Sequence, residues 1–334
     1  MSDSALTGPA SMKMREQACG AVNLKAFLAS AVLFSGLLFS AHGSELFAAG
    51  ALDSLSALAP GLSADLPASP PPAPLLGPVR SSKPLNAYFI SVGEGDSEYI
   101  ELPNGRNVLI DGGPNPTASL AQFLSQNNVS EINYVVLTHP HLDHYAGLNY
   151  VFSKIKVDNF YDTREDNTGA AGAKTLRDKI KSMGINTIYP SAGDTLDWDP
   201  GEVQVNVFNG CSTPGGSNSG PVLNDCSIVL KVTYQNTSIL YVGDMQSDQE
   251  ANLVARYGSQ LQAEVLKVGH HGSNTASSPA FLNVVKPKYA YIEVGKDNIF
   301  AFPAPVTLSN LQAVGATVYR TDLGGTQEYR IGGQ

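Results

Sequence analysis

The feature that most constrains this chain is a hydrophobic stretch that ends abruptly in a histidine-rich loop. Residues 134–137 read Tyr-Val-Val-Leu, which is the β-branched and apolar composition of a buried strand. Residues 138–147 then read Thr-His-Pro-His-Leu-Asp-His-Tyr-Ala-Gly, which places three of the chain's six histidines close together. Imidazole and carboxylate groups are ligands of zinc, manganese and iron in proteins. We therefore predict a metal site at the end of this strand. Its candidate ligands are His139, His141, Asp143 and His144.

Short apolar runs separated by Gly, Pro and Asn predict that strands dominate the early part of the chain. The predicted strands are 87–92, 99–102, 108–110, 134–137, 203–208, 228–234, 238–242 and 289–294. Helical periodicity predicts helices at 118–126, 173–183, 248–257 and 306–314. Two rounds of strands followed by helices indicate an α/β fold with two sheets and helices outside them.

Two later apolar runs also end in candidate metal ligands. The run at 238–243 is followed by Asp244, and the run at 265–268 is followed by Gly269 and the pair His270–His271. A carboxylate between two cations holds them at the short spacing that two-metal hydrolysis requires.

Together these motifs resemble the metallo-β-lactamase fold, an αββα sandwich of two central mixed sheets with helices on the outer faces. The resemblance implies a hydrolase with one or two divalent metal ions, in which Asp244 bridges both. It implies that His139 and His141 bind the metal of site one, and that Asp143 and His144 bind the metal of site two. The last expected ligand is a histidine, and spacing leaves His270 and His271 open. We favour His271 as the ligand, with His270 near the substrate.

A narrower resemblance is to the soluble hydrolase domain of ComEC-type competence proteins, and it covers nearly all of residues 85–334. It implies a metal-dependent phosphodiesterase or nuclease, and bacterial phosphorylcholine esterases share a similar domain. The matching motifs are Phe-Ile-Ser-Val-Gly-Glu-Gly-Asp-Ser at 89–97, Leu-Ile-Asp-Gly-Gly at 109–113, Asn-Asp-Cys-Ser-Ile-Val-Leu at 224–230, His-His-Gly-Ser at 270–273 and Tyr-Arg-Thr-Asp at 319–322.

The chain departs from the wider pattern at site one. No histidine occurs between His144 and Asp244, so the third histidine ligand of the lactamases is missing. ComEC-like proteins have Asn-x-x-Ser in this stretch, which matches Asn224 and Ser227 here, and the neighbouring Asp225 is a further candidate ligand. A site poorer in nitrogen favours manganese or a loosely held second metal, so we expect zinc or manganese.

Three further positions bear on the chemistry. The resemblance implies that Asp111 buttresses the metal loop rather than binding metal, and a simple turn residue is the alternative. ComEC-like domains usually carry a Lys where this chain has Asn274, and a His-Pro where it has Phe302-Pro303. Both changes remove a group that meets phosphate oxygens. With a net charge of −9 they weaken the nuclease interpretation, because long nucleic acids need many Lys and Arg contacts.

Our mechanistic hypothesis is that two bridged cations lower the pKa of a shared water and supply a hydroxide nucleophile. Asp143 would orient it and accept its proton, while His270 and Ser273 would stabilise charge developing on the ester oxygen. The expected activity is phosphodiester hydrolysis, with nucleic acid an alternative substrate that the net charge disfavours. A lactamase-like ester or amide hydrolase and an inactive metal-binding surface module remain open.

Residues 1–43 predict a secretory signal, because the apolar stretch 27–41 follows several basic residues. This stretch of about 15 residues is shorter than the roughly 20 of a membrane-spanning helix. Small residues before Ser44 offer a cleavage site, and an uncleaved single-span anchor is the alternative. We expect an exported protein, whether periplasmic, cell-surface or secreted. With one apolar segment, we expect no multi-span channel.

Residues 44–84 are rich in Ala, Leu, Ser and Pro and predict a linker before the hydrolase domain 85–334. Of the three cysteines, Cys19 falls in the signal, and Cys211 and Cys226 bracket a loop rich in Gly, Ser and Pro. In an oxidising compartment we expect these two to form a disulfide. Two free buried thiols are the alternative if the chain is not exported.

Overall fold

The computed structural model describes residues 83–333 except 116, 212–216 and 219, and only the backbone of 217 and 218. The predicted signal segment, with Cys19, and nearly all of the predicted linker lie outside the described residues. No helix in the described part of the chain is long and apolar enough to cross a membrane.

Sixteen strands are described. In chain order they are β1 (Leu85–Phe89), β2 (Glu98–Glu101), β3 (Asn107–Ile110), β4 (Glu131–Val136), β5 (Lys156–Tyr161), β6 (Asp166–Asn167), β7 (Asn186–Ile188), β8 (Thr195–Asp199), β9 (Val203–Asn209), β10 (Ser217–Asn218), β11 (Val229–Tyr234), β12 (Thr237–Tyr241), β13 (Val265–Lys267), β14 (Tyr289–Ile292), β15 (Thr317–Arg320) and β16 (Gln327–Ile331).

Nine α-helices accompany these strands within the described residues. They are α1 (Ala118–Gln126), α2 (Leu142–Tyr145), α3 (Leu148–Lys154), α4 (Gly172–Ser182), α5 (Pro221–Asn224), α6 (Ser247–Tyr257), α7 (Pro279–Val285), α8 (Pro305–Ala313) and α9 (Thr321–Gly324). The four predicted helices are confirmed as α1, α4, α6 and α8, with ends that differ by one residue at most.

Two seven-stranded sheets share one pairing pattern. The order is β16-β1-β2-β3-β4-β5-β7 in the first and β15-β14-β13-β12-β11-β9-β8 in the second. In the first sheet β1, β2 and β3 pair antiparallel, and β3, β4, β5 and β7 pair parallel. In the second, β8, β9, β11 and β12 pair antiparallel, and β12 to β15 pair parallel. The strands β6 and β10 form a separate parallel ladder.

The main core lies between the two sheets. Along β1 the side chains alternate between buried and partly buried, which is the period of a strand with one face on a core. Phe89 of the first sheet stacks on Tyr291 of the second with ring centroids 4.1 Å apart, so aromatic contacts join the sheets directly.

Helices cover the outer faces of both sheets. Buried side chains of α1, α3 and α4 pack on the first sheet, with Phe152 and Phe160 in edge-to-face contact. Those of α6, α7 and α8 pack on the second sheet. The predicted αββα sandwich is therefore confirmed. The parallel strands β3, β4, β12, β13 and β14 lead at their carboxyl ends into the loops that carry the polar residues described below.

Candidate metal centre

The histidine loop, residues 138–147, follows β4 and is held against the loop after β3 by hydrogen bonds and backbone contacts. The Asp111 carboxylate accepts hydrogen bonds from the Thr138 amide (2.8 Å) and hydroxyl (2.6 Å). Gly112 and Gly147 bring the two loops into backbone contact, because a Cβ on Gly147 would lie 1.8 Å from the Gly112 carbonyl oxygen. The loop is therefore fixed by short contacts before any metal is considered.

Site two is a tight cluster at the end of this loop. Its four residues, Asp143, His144, Asp244 and His271, place one ligand atom each within 4.8 Å of one another. His144 Nε2 lies 3.2 Å from Asp244 Oδ2, and His271 Nε2 lies 3.2 Å from Asp143 Oδ2. All but Asp143 are buried, so the cluster opens to solvent on the Asp143 side.

Site one shares Asp244 with site two. His139, His141 and Asp244 form a second group with ligand atoms within 4.8 Å of one another. His139 Nε2 lies 3.0 Å from His141 Nδ1 and 3.7 Å from Asp244 Oδ2. The structure thus brings together the six predicted ligands His139, His141, Asp143, His144, Asp244 and His271 in two groups with one common carboxylate.

The donor set fits divalent cations. Asp244 Oδ1 is a buried side-chain atom without a hydrogen-bond partner among the described residues, and His271 Nε2 faces the Asp143 and Asp244 carboxylates. Buried polar atoms are rarely left unpaired, and an ion that they coordinate is one explanation for such atoms. Mixed imidazole and carboxylate ligands suit zinc, manganese or iron.

The electrostatics of site two are those of a cation pocket. Burial lowers the pKa of His144, but the Asp244, Asp143 and Asp111 carboxylates outweigh it and raise that pKa well above its usual value. His271 shows the same raised pKa, because Asp244 and Asp96 outweigh its burial. Burial raises the pKa of Asp244, but both imidazoles hold it well below its usual range. In the metal-free protein, protons on His144 and His271 thus supply the positive charge.

In site one the pKa values of the imidazoles are lowered instead of raised. Burial lowers the pKa of His139 well below its usual value, and the neighbouring His144 adds to the effect. Burial likewise lowers the pKa of His141. Both rings are therefore neutral at pH 7, which is the form that binds metal.

The two adjacent histidines have different positions in the metal centre. His271 is buried, and its Nδ1 donates to the Glu293 carbonyl oxygen (2.9 Å), which leaves Nε2 for site two. His270 is 23% exposed and lies with the partly exposed Asp143 on the solvent-facing side of the metal centre, which we call the mouth. Its Nε2 lies 4.0 Å from Asp244 Oδ2. Both residues have left-handed backbones, with φ of 50° and 53°, a strained conformation of the kind that concentrates at functional sites.

The other predicted site residues lie around His270. Its Nδ1 is 3.0 Å from the Thr275 hydroxyl, which is itself 3.0 Å from the Ser273 hydroxyl. Ser273 is buried and therefore contacts His270 through Thr275 rather than facing the mouth. On the other side, Asn224 Nδ2 lies 3.4 Å from His270 Nε2.

Asp225 is not brought into either cluster. Its Oδ1 accepts a hydrogen bond from the Gln246 amide (3.2 Å), and its carbonyl accepts one from the Asn209 side chain. The matching Ser227 hydroxyl lies 3.4 Å from His139 Nδ1 and accepts a hydrogen bond from the Asp244 amide (3.0 Å). The sulfurs of Cys211 and Cys226 are bonded, which confirms the predicted disulfide beside this segment.

A buried charged layer behind site two was missed by the sequence reasoning. Asp96, to which the sequence analysis gave no role beyond the motif at 89–97, contacts the buried Lys267 ammonium and lies 3.2 Å from His271 Nδ1. Glu98 and Glu293 lie against Asp96, and burial with the Asp96 carboxylate raises the pKa of Glu293 to about 8. The available signal was a lysine inside the apolar run 265–268, since a buried lysine needs a carboxylate partner.

The comparisons with known proteins agree with this geometry. Residues 91–295 match the model of the Metallo-beta-lactamase superfamily. The chain is 30% identical over 255 residues to "Competence protein ComA" of Neisseria gonorrhoeae, covering 75% of this chain and 33% of that protein. It is 27% identical to "ComE operon protein 3" of Bacillus subtilis, covering 72% of this chain and 32% of that protein. The chain thus spans about a third of the length of these curated relatives.

A solved structure shares the fold. The metallo-beta-lactamase fold protein YhfI from Bacillus subtilis superposes with a TM-score of 0.50 and 13% sequence identity, covering 74% of this chain and 100% of that one. At this identity the likeness concerns the fold alone.

Proposed function

Because the chain belongs to the Metallo-beta-lactamase superfamily, we propose that it is a metal-dependent hydrolase that cleaves phosphodiester bonds. The observation that carries this proposal is the pair of ligand clusters joined by Asp244. A single carboxylate common to two ligand groups is what two-metal hydrolysis requires.

Each group has a defined role in this proposal. His139 and His141 would hold the first cation, Asp143, His144 and His271 would hold the second, and Asp244 would contribute to both. When bound, zinc or manganese supplies Lewis-acid activation of water and of the ester. Asp143 is 35% exposed, so its carboxylate is the group of site two that is placed to orient water; His144 and His271 hold its pKa well below its usual range, so it stays ionised.

His270 is the proposed substrate-facing residue. Burial lowers its pKa, so the ring is neutral at pH 7. The Thr275 hydroxyl at Nδ1 fixes the ring orientation and leaves Nε2 directed to the mouth beside Asn224. To donate a hydrogen bond to a non-bridging ester oxygen, the neutral ring must carry its proton on Nε2, and the Asn224 Nδ2 donor 3.4 Å away must then turn aside.

The resemblance of the motifs at 89–97, 224–230 and 270–273 to ComEC-type hydrolase domains, which implies a phosphodiesterase, supports phosphodiesters as the substrate class. Site one also lacks a third histidine, which separates it from the lactamase pattern. The Ser227 hydroxyl lies next to His139 of site one instead, and Asn224 lies beside His270, which gives a more polar, less nitrogen-rich environment. This ligand set supports manganese or zinc, with the first site the looser of the two.

The test is hydrolysis of bis-p-nitrophenyl phosphate by the purified full chain with added zinc or manganese, combined with elemental analysis. We expect about two equivalents of metal and a turnover that falls at least about 100-fold in Asp143→Asn. Asp178→Asn on the exposed surface of α4 is the matched control and keeps full turnover. Absence of bound metal under both conditions would contradict the proposal and leave the fold as a binding scaffold.

We also propose that the protein is exported. The Cys211–Cys226 bond supports this, since disulfides persist in oxidising compartments. The measurement is the thiol state of both cysteines in protein trapped with an alkylating agent in intact cells. Full alkylation of both thiols would contradict export.

A further inference from the structure

The loop that follows β14 presents large apolar side chains to solvent. We call residues 295–304 the aromatic loop. Ile299 is 92% exposed and Phe300 is 58% exposed, and Phe302 is half-buried beside them. The Phe300 and Phe302 rings stack with centroids 5.5 Å apart. Exposed apolar groups that cluster in this way mark a binding surface more often than isolated ones do.

The aromatic loop adjoins the metal centre. The Phe302 ring lies edge-on to the His270 ring with centroids 5.9 Å apart. Pro303 packs against Gly272, where an added Cβ would lie 2.6 Å from the Pro303 Cβ. The apolar surface therefore continues from the ring of the proposed substrate-facing histidine.

Hydrogen bonds at both ends hold the aromatic loop in place. The Asn298 side chain donates to the Gly295 and Phe302 carbonyls (3.0 and 2.9 Å) and accepts from the Phe302 amide (3.0 Å). The Ala304 amide donates to the Gly272 carbonyl (2.9 Å). A surface fixed in this way binds without the cost of ordering a loop.

Two further exposed apolar residues come from the segments that carry the metal site. Leu142 is 58% exposed and lies between His141 and Asp143 in sequence. Val222 is 52% exposed and lies in α5, the helix that ends at Asn224. Exposed apolar side chains thus also occur in the chain segments that carry the histidine loop and Asn224.

We propose that the aromatic loop is a substrate subsite that takes an alkyl or acyl arm of the ester cleaved at the metal centre. This inference rests on the proposed hydrolase function and narrows its substrate to phosphodiesters with an apolar arm. Stacked rings and an exposed isoleucine offer no hydrogen bonds to a sugar–phosphate chain, whereas an alkyl arm removes their apolar surface from water. Because Phe302 touches His270, the arm lies against the rings while the ester reaches the ligands.

The test compares two diesters with the same leaving group, methyl p-nitrophenyl phosphate and octyl p-nitrophenyl phosphate, below the micelle concentration. In the full chain we expect kcat/KM to be about tenfold higher for the octyl ester. Phe300→Ser and Ile299→Ser should each reduce this ratio to about two. Met183→Ser is the control. Met183 is also exposed, but it precedes β7 and so lies at the amino ends of the parallel strands, whereas the metal centre lies at their carboxyl ends. The ratio of kcat/KM values should not change in this variant.

Binding gives a second readout that does not need turnover. Calorimetry with octylphosphonate and methylphosphonate should show about tenfold tighter binding of the octyl compound, and Phe300→Ser should reduce the difference to about twofold. If neither diester is cleaved, the proposed function fails and this binding result decides the inference. Equal kcat/KM for both esters, equal binding of both phosphonates, or a tenfold preference that Phe300→Ser leaves unchanged overturns the inference, and it does so without contradicting the hydrolase proposal.

Discussion

The two halves of the metal centre differ in how firmly the protein holds their ligands. In site two, His144 Nδ1 lies 2.8 Å from Asp111 Oδ2, and His271 Nδ1 donates to a main-chain carbonyl. In site one, the described contacts of His139 Nδ1 are weaker, to hydroxyls 3.1 and 3.4 Å away. Partners behind a ligand fix its orientation and raise metal affinity. Site two should therefore be the tight site, and site one the loose one.

The largest expected effect comes from the carboxylate common to both halves. Asp244→Ala removes a ligand from each group and leaves His144 and His271 without their main counter-charge. We expect loss of metal from both sites and a fall in diester turnover of about 1,000-fold or more. Elemental analysis after gel filtration measures the first and a p-nitrophenol assay the second. A variant that is inactive but still holds both metals would refute the bridging role.

Single-ligand variants separate the two halves. His144→Ala should remove the tightly bound metal of site two. His141→Ala should remove only the metal of site one, which dialysis also removes first from the unmodified protein. Turnover should fall by about 100-fold or more in both, because both cations are needed. The measurement is metal content after graded dialysis. The comparison between the halves is wrong if His141→Ala loses the tighter metal.

Asp111→Asn tests the support behind site two alone. The amide keeps the shape but no longer supplies a charged acceptor to Thr138 and His144. We expect metal affinity at site two to fall by about 10- to 100-fold and that at site one to change little. Competition with a fluorescent chelator gives both constants. Equal weakening of both sites would show that Asp111 stabilises the whole loop instead.

A smaller effect is expected in the pH dependence of metal binding. His144 and His271 have raised pKa values in the metal-free protein, so they hold protons at pH 7 that a cation must displace. Affinity at site two should therefore rise with pH above 7. His139 and His141 have lowered pKa values and are neutral at pH 7, so site-one affinity should change little above pH 7.

Proton release measures this difference. Calorimetric titration in two buffers with different ionisation enthalpies gives the number of protons released on binding each metal. Release should accompany the tighter event and be close to zero for the weaker one. The opposite assignment would contradict the electrostatic account.

Much of the fold was accessible to sequence reasoning, because strand periodicity and helix periodicity are local signals. The helix α1 has the predicted bounds, and α4, α6 and α8 deviate by one residue at most. Elements that the patterns did not predict include β5, β16 and α7. The strand β16 pairs with β1, although the two lie at opposite ends of the domain sequence, and such long-range pairing leaves no local sequence signal.

Part of the metal site could likewise be predicted from local sequence, and part could not. His139, His141, Asp143 and His144 fall in one short loop, so their clustering could be read from spacing. The choice between His270 and His271 could not, because it depends on two left-handed residues that send neighbouring rings in different directions. Likewise, nothing in the sequence around Asp225 indicates that its side chain contacts the Gln246 amide instead of a metal.

The most direct test of the two-halves account is a calorimetric titration of the metal-free full chain with manganese, repeated with zinc. We expect two binding events, a tighter one that releases protons and is weakened by Asp111→Asn, and a weaker one removed by His141→Ala. A single event, or two events of equal affinity that respond alike to both variants, would contradict it.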